Sequence, residues 1–242
     1  MFIVNKKPKS VAAESYRTLR TNIKYSSFDN EYRCIAITSS GMGEGKSTTA
    51  GNLAFALAQS ESTVLLVDCD LRKSSIHKHF KISNNIGLTD LLVGNYKSEE
   101  AIYKHDDNLH VLTAGKSTPN PSEMLGSKAM ERFLEEAKEK YDYVIIDTPP
   151  VIAVTDAQIL STKVDGTILV VHAGQTKKQI VMTAVDLLKK VGANIIGTVL
   201  NSVEMKGSNY YYYYYNNEDK DERGSNKKRK KKRKSRDTIK NL

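Results

Sequence analysis

A glycine-rich segment with a lysine and two hydroxyl side chains is the part of this chain best suited to chemistry. It runs from Gly41 to Thr48 and reads Gly-Met-Gly-Glu-Gly-Lys-Ser-Thr. Glycines let backbone N–H groups close around phosphate oxygens, and a helix that begins there adds positive potential. Lys46 would reach the β- and γ-phosphates of a nucleotide, and Ser47 would ligate Mg²⁺. One departure from the usual pattern is Ser40, which stands where the first glycine is expected.

Two other segments supply carboxylates. Asp68 and Asp70 follow the apolar run 65–67, and Asp147 follows the apolar run 144–146. A strand-end aspartate is often only a helix cap or a turn residue. However, the carboxyl ends of parallel strands are where ligands bind, and a hydroxyl with several carboxylates suits Mg²⁺. The three segments together predict a site that hydrolyses a nucleotide or transfers its phosphoryl group.

Six consecutive tyrosines, 210–215, offer hydroxyls that could accept a phosphoryl group. In a strand, alternate side chains face opposite ways, so three phenols would be forced into the interior or against a neighbour. The polar residues 216–220 that follow are typical of solvated coil. We therefore predict that the tyrosines lie in a mobile tail.

These motifs need a fold that positions them, and the apolar pattern indicates one. Strands are predicted at residues 33–38, 64–67, 109–113, 143–146, 167–171 and 195–200, and helices at 11–26, 45–59, 130–141 and 179–191. The strands are continuously apolar and alternate with helices, which is typical of a parallel sheet covered on both faces. The predicted class is therefore α/β: a P-loop NTPase with a doubly wound, mostly parallel sheet and a disordered C-terminal tail.

The positive charge of the chain lies almost entirely at its C-terminal end. The net charge is +9, and residues 227–242 contain ten Lys or Arg and one acid, which accounts for all of it. The remainder is neutral overall, so binding of nucleic acid by the body of the protein is not expected. No apolar run approaches the ~18 residues that span a bilayer, and the N-terminus lacks a signal-like core. We expect a cytosolic protein in which Cys34 and Cys69 are buried, reduced thiols.

In their order along the chain, these segments resemble the motifs of the bacterial tyrosine kinases (BY-kinases), most closely the cytoplasmic CpsD/CapB type. The matches are Walker A at Gly41 to Thr48, D-x-D-x-R at Asp68, Asp70 and Arg72, D-x-x-P (Walker B) at Asp147 and Pro150, E-x-x-R-x-x-R at Glu14, Arg17 and Arg20, and a tyrosine cluster at Tyr210, Tyr211, Tyr212, Tyr213, Tyr214 and Tyr215. Residues 120–125 also resemble the family. Each motif alone is modest, but the five in this order are specific.

The resemblance implies an ATP-dependent protein-tyrosine kinase that phosphorylates the tyrosine cluster of a neighbouring subunit and regulates capsular or exopolysaccharide biosynthesis and export. It implies ATP and Mg²⁺ as cofactors, a transmembrane polysaccharide co-polymerase-type activator, a cognate tyrosine phosphatase and a homo-oligomeric ring. The implied location is cytoplasmic and peripheral, at the inner face of the cell membrane. The predicted parts are an N-terminal oligomerisation segment (1–30), a P-loop kinase domain (31–203) and a mobile tail (204–242).

The same resemblance implies roles for single residues. Asp70 and Asp147 would hold Mg²⁺ together with Ser47, and Asp68 would accept the tyrosine proton. Because a phenol has a pKa near 10 and an aspartate one near 4, Asp68 would orient the hydroxyl and take the proton late. Asn201 resembles the adenine-reading asparagine of related P-loop ATPases. The predicted catalytic residues are Lys46, Asp68 and Asp70, and the predicted nucleotide-binding residues are Gly41, Met42, Gly43, Glu44, Gly45, Lys46, Ser47, Thr48 and Asn201.

Two other functions stay open at this point. A ParA/MinD-like ATPase switch shares much of the site, but those proteins carry a signature lysine where this chain has Gly41. A nucleic-acid-binding protein could work through its basic tail, although the neutral body argues against it. For Glu14, Arg17 and Arg20, local pairing along one helix is the alternative to a ring interface.

The basic run 227–234 departs from the family pattern and suggests a task of its own. Phosphorylation of six tyrosines would add about −9 to −12 and nearly cancel the charge of the tail. We predict that the unphosphorylated tail binds an anionic membrane surface, at about 1 kcal/mol per basic residue, and that phosphorylation weakens this binding. The alternative is that the run is only a solvated, disordered end.

Overall fold

The computed structural model describes residues 2–26 and 31–204, so the tyrosine cluster and the basic run lie outside the described residues. In the described part the helices are α1 (Ile3–Lys6), α2 (Val11–Ser26), α3 (Lys46–Ala58), α4 (Ile76–Phe80), α5 (Leu88–Leu92), α6 (Ser98–Ala101), α7 (Pro121–Gly126), α8 (Lys128–Lys140), α9 (Asp156–Ser161) and α10 (Lys178–Lys190). The strands are β1 (Cys34–Ser39), β2 (Val64–Asp68), β3 (Ile102–Lys104), β4 (Leu109–Leu112), β5 (Tyr143–Asp147), β6 (Gly166–His172) and β7 (Ile195–Asn201).

The strands form one seven-stranded sheet in the order β3-β4-β2-β5-β1-β6-β7. Every neighbouring pair is parallel except β3 and β4, which are antiparallel. The predicted class, a doubly wound and mostly parallel α/β sheet, is confirmed. Strand β5 lies between β1 and β2 and pairs with both, so the ends of three strands that carry predicted site residues are adjacent.

The central strands are buried on both faces because successive side chains enter different hydrophobic cores. Ile35 and Ile37 of β1 belong to a core that also includes side chains of α3, whereas Cys34 belongs to a core that includes side chains of α8. Leu66 and Val67 of β2 divide in the same way. This double burial explains why the strands are continuously apolar and do not alternate with polar residues.

All ten strands and helices predicted from the apolar pattern are present, with ends that shift by one or two residues. The prediction missed β3 and the short helices α1, α4, α5, α6, α7 and α9, because a three-residue strand, or a helix of fewer than two turns, is too short to show a periodic pattern. Cys34 and Cys69 are buried and free, as expected. Among residues 2–26 and 31–204, no helix combines the length and the apolar character that crossing a membrane requires.

The N-terminal helices pack against α3, the helix that follows the glycine-rich loop. The backbone N–H of Val4 donates to Asn52 Oδ1 at 3.0 Å, and the Asn52 amide donates to the Thr48 carbonyl at 2.8 Å. The ring of Phe2 is buried and covers Gly51 so closely that a Cβ there would meet it at 2.0 Å. The N-terminal segment therefore holds the first turns of α3 from outside.

Candidate active site

The predicted site residues converge at the carboxyl edge of the sheet. The glycine-rich loop follows β1, Asp70 follows β2, and Asp147 ends β5. Asp68 and Asp147 are register partners across β2 and β5, and Ile37 is the partner of Asp147 in β1. The sheet therefore brings together three segments that are far apart in sequence.

The loop needs glycine for two separate reasons. Gly43 and Gly45 have φ angles of 79° and 92°, which L-residues with a Cβ rarely adopt. At Gly45 a Cβ would also lie 2.0 Å from the side-chain nitrogen of Asn201. That nitrogen donates to the Glu44 carbonyl at 3.0 Å, so the end of β7 fastens the loop. Asn201 thus borders the loop, and its predicted contact with adenine stays a prediction.

Glu44 points into the loop and not into solvent. Its side chain is buried, and its carboxylate accepts hydrogen bonds from the Gly41 N–H at 2.9 Å and from the Ser40 hydroxyl at 3.3 Å. The loop is therefore closed by one of its own side chains. Met42 is 75% exposed, and its predicted contact with the nucleotide stays a prediction.

Lys46 is the cation at the centre of the acidic cluster. Its Nζ lies 3.0 Å from Asp70 Oδ2, 3.9 Å from Asp147 Oδ1 and 3.3 Å from the Ser47 hydroxyl. Burial alone would lower the pKa of the lysine, but the charges of Asp147 and Asp70 outweigh it, and the pKa is raised. Lys46 is therefore charged at neutral pH, as a contact with phosphate oxygens requires.

Asp147 is a buried carboxylate without a hydrogen-bond donor among the described residues. The residue is fully buried, and neither carboxylate oxygen has a donor in good hydrogen-bond geometry there, although the Ser47 hydroxyl is near enough to lower the pKa of Asp147. Burial raises the pKa of Asp147 to about 7, although the charge of Lys46 opposes the shift. A buried carboxylate with free lone pairs beside a serine hydroxyl fits a hydrated Mg²⁺, which takes oxygen ligands and keeps several waters.

Asp68 differs from Asp147 because its oxygens are engaged by the backbone. Oδ2 accepts the N–H groups of Ser75 and Ile76, each at 3.0 Å, and Oδ1 accepts the N–H of Asp70 at 3.2 Å. Burial raises its pKa to about 6, against the opposing effect of the hydrogen bonds from Ile76 and Ser75. Asp68 is fully buried, and these bonds fix the path of the chain between β2 and α4.

The predicted interface residues lie on α2, away from this cluster. Glu14 and Arg17 form an exposed ion pair at 2.9 Å, which is the local pairing that the spacing allows. Arg20 donates to the Ala56 carbonyl at 2.7 Å, near the C-terminal end of α3. Because α3 rises 1.5 Å per residue, that contact is about 15 Å along the helix from Lys46. A ring interface at these residues stays a prediction.

Sequence reasoning missed Asp156, a buried acid that joins two of the recognised motifs. Its carboxylate accepts hydrogen bonds from Arg72, of the D-x-D-x-R motif, and from Ser122, which lies in the segment 120–125. Asp156 is the first residue of α9, and an acid at that position is ordinarily a first-turn residue that interacts with the helix dipole. Only the unusual burial of Asp156, which the sequence does not reveal, distinguishes it from such a residue.

Comparisons with known proteins agree with this site. A family model described as an AAA domain matches residues 32–198. Tyrosine-protein kinase YwqD of Bacillus subtilis (strain 168) is 44% identical over 205 residues, which cover 84% of this chain and 86% of the relative. The putative tyrosine-protein kinase CapB of Staphylococcus aureus is 38% identical, over 86% of this chain and 92% of the relative.

Solved structures distinguish a near relative from a more distant one. The kinase domain of Escherichia coli tyrosine kinase ETK superposes with a TM-score of 0.82 at 34% identity, covering 86% of this chain and 82% of that one. This chain covers only 29% of the full tyrosine-protein kinase etk of Escherichia coli (strain K12), at 35% identity. The septum site-determining protein MinD of Pyrococcus horikoshii, complexed with Mg-ADP, gives a TM-score of 0.59 at 30% identity, with 69% of each chain covered. The extent of its similarity to YwqD, CapB and ETK shows that this chain belongs to the bacterial tyrosine-kinase family.

Proposed function

We propose that this chain is an ATP-dependent protein-tyrosine kinase that phosphorylates the tyrosine cluster 210–215 of a neighbouring copy and so regulates capsular or exopolysaccharide biosynthesis and export. The observation that carries the proposal is the acidic cluster around Lys46. One ammonium faces Asp70 and Asp147 at the mouth of a phosphate-binding loop. The fold around it is that of relatives named as tyrosine kinases.

The nucleotide is ATP, and the metal is Mg²⁺, held by Ser47, Asp70 and Asp147. Two observations support the fit: both oxygens of the buried Asp147 lack a hydrogen-bond donor among the described residues, and Ser47 and Asp70 already lie around the same ammonium. When bound, the metal would neutralise charge on the β- and γ-phosphates. Lys46 supplies the fixed positive charge on the protein side, and backbone N–H groups of the loop orient the phosphates.

Asp68 accepts the proton of the attacking tyrosine. Its pKa, raised to about 6, brings it nearer to neutral pH than a free aspartate, which favours proton transfer late in the reaction. Three backbone N–H groups hold its carboxylate, so its direction is fixed before a substrate arrives. A carboxylate offers about four lone-pair sites, which leaves room for a phenol hydrogen bond.

The partners follow from the family. The chain acts in a homo-oligomeric ring joined through Glu14, Arg17 and Arg20, and a cognate phosphatase reverses the modification. A transmembrane co-polymerase-type protein activates it and keeps it at the inner face of the membrane. In support, this chain covers 86% of YwqD but only 29% of the longer etk, so most of etk lies outside the matched part. The basic tail adds contact with anionic lipid.

The rival function is a ParA/MinD-like switch without a protein substrate. The lower structural similarity to MinD and the glycine at position 41 argue against it, because the signature lysine of that group is missing. The tyrosine cluster argues in the same direction, since a switch ATPase has no need of six acceptor hydroxyls.

Intact-mass measurement of the protein isolated from its own host tests the proposal, because the natural activator is present there. The wild-type chain is compared with Lys46→Met and with Lys189→Met, a matched control at an exposed lysine of α10. We expect a ladder of phosphate additions that maps to the tyrosine cluster in the wild type and the control and disappears in Lys46→Met. An unmodified wild-type chain that still hydrolyses ATP would favour the MinD-like switch.

A further inference from the structure

One buried carboxylate joins three of the loops that leave the ligand edge of the sheet. Asp156 begins α9 and is fully buried. Its Oδ2 accepts Arg72 Nε at 2.9 Å, and its Oδ1 accepts an Arg72 terminal nitrogen at 3.1 Å. Ser122 Oγ donates to the same Oδ1 at 2.7 Å and accepts from Arg72 at 3.1 Å. Arg72 follows β2, Ser122 follows β4 and Asp156 follows β5, so this clasp (Arg72, Ser122 and Asp156) joins segments up to 84 residues apart.

The clasp joins the same two chain segments that carry the carboxylates that would hold the metal. Arg72 is two residues beyond Asp70, and Asp156 is on the segment that leaves Asp147. Those two aspartates already face each other across Lys46. The chain after β2 and the chain after β5 are therefore tied together twice, once at the site and once at the clasp. Two ties define the separation of the segments better than one.

The contact between Arg72 and Asp156 constrains its two partners more than an ordinary surface ion pair does. Arg72 is 42% exposed, but its partner is fully buried, and the guanidinium contacts both carboxylate oxygens through two nitrogens. Such bidentate pairs fix orientation as well as distance. A lysine at position 72 would keep the positive charge but could not contact both carboxylate oxygens in the same bidentate way. The variant Arg72→Lys therefore separates the effect of geometry from the effect of charge.

We propose that Arg72 is a positioning residue which, with Asp156 and Ser122, fixes the separation of Asp70 from Asp147 and so sets the affinity for the magnesium–nucleotide complex. The inference rests on the proposed function, since it takes Asp70 and Asp147 to be metal-holding residues. Partners that hydrogen-bond a metal ligand typically change metal affinity about 10–100-fold when they are removed. The clasp would act less directly, because it orients the two aspartates through the backbone of their loops.

Nucleotide binding with and without metal tests this proposal. Binding of a fluorescent ATP analogue is titrated for Arg72→Lys, Asp156→Asn and the wild type, in Mg²⁺ and in EDTA. We expect the Kd in Mg²⁺ to rise about 10-fold or more in both variants, while the Kd in EDTA stays within about 2-fold of wild type. Ser122→Ala should shift in the same direction by less, because the arginine–aspartate fork remains.

Lys163→Met is the matched control, because it breaks another ion pair, to Glu131, outside the site. It should leave both dissociation constants unchanged. Equal weakening in Mg²⁺ and in EDTA, or a lowered melting temperature with unchanged binding, would show that the clasp is merely structural and would overturn the proposal. Asp156→Asn removes the buried charge, and Arg72 can then be hydrated, so this variant leaves no unpaired charge in the interior. It therefore serves as the test if Arg72→Lys folds poorly. If the wild-type chain phosphorylates its tyrosines and these variants bind the nucleotide normally, this inference is wrong but the proposed function is not affected.

Discussion

Replacing Asp147 with asparagine should stabilise the metal-free protein at high pH while it damages the site. Asp147 is fully buried, both of its oxygens lack a hydrogen bond in the described part of the chain, and burial raises its pKa to about 7. Lys46 compensates part of the charge from 3.9 Å, whereas Asp68 and Asp70 add to the repulsion. Ionisation of Asp147 therefore destabilises the folded, metal-free protein.

The sign and the size of the effect follow from linkage. Because the folded pKa lies above the unfolded value of 3.8, the folded state binds the proton more tightly, and stability falls as the pH rises from about 4 to about 7. At 1.36 kcal/mol per pKa unit, the full cost above pH 7 is about 4 kcal/mol. Roughly 1–2 kcal/mol of it is already present at pH 5. The free energy of unfolding of Asp147→Asn relative to wild type should therefore improve by about 2–3 kcal/mol between pH 5 and pH 8.

Urea unfolding in EDTA at both pH values measures this difference. The change between pH values is more informative than either value alone, because the unpaired amide that replaces the carboxylate costs about 1–3 kcal/mol at any pH. Asp186→Asn, at an exposed position of α10, is the matched control and should give the same difference at pH 5 and pH 8. A pH-independent difference for Asp147→Asn, or a relative loss of stability at pH 8, would refute the description of Asp147 as a buried carboxylate whose charge is only partly compensated.

Two further predictions concern the ends of the chain. Gly51→Ala should lower the free energy of unfolding by about 1–3 kcal/mol in urea, because the new methyl group would meet the buried ring of Phe2 at 2.0 Å. In a Phe2→Ala background the same change should be neutral or stabilising by about 1 kcal/mol, as helix propensity alone predicts, and a cost there would contradict the assigned contact. At the other end, unphosphorylated protein should sediment with phosphatidylserine liposomes at low salt and phosphorylated protein much less, because each phosphotyrosine adds about −1.5 to −2. Equal sedimentation of the two forms at low salt would show that phosphorylation does not weaken the binding and would refute the prediction.

Local patterns in the sequence determined most of the sheet and the loop. The central strands β1, β2 and β5 are continuous apolar runs because they are buried on both faces, and such runs can be recognised without knowing the neighbouring strands. Gly43 and Gly45 can also be recognised in the sequence, because a positive φ angle is a property of a single residue and favours glycine. The lysine and hydroxyl that follow them are fixed by their place at the start of a helix.

Only the tertiary structure decided which of these residues meet. That β5 lies between β1 and β2, so that Asp147 pairs in register with Asp68, depends on strand order, which no local pattern encodes. The same holds for Arg20, whose guanidinium binds a carbonyl of α3 in addition to lying on the face predicted for an interface. Asp156 is the clearest case. Its sequence context is that of an ordinary helix-start acid, and its partner Arg72 is 84 residues away. Conformational preferences are local and can be read along the chain, whereas burial and pairing arise from packing among distant segments.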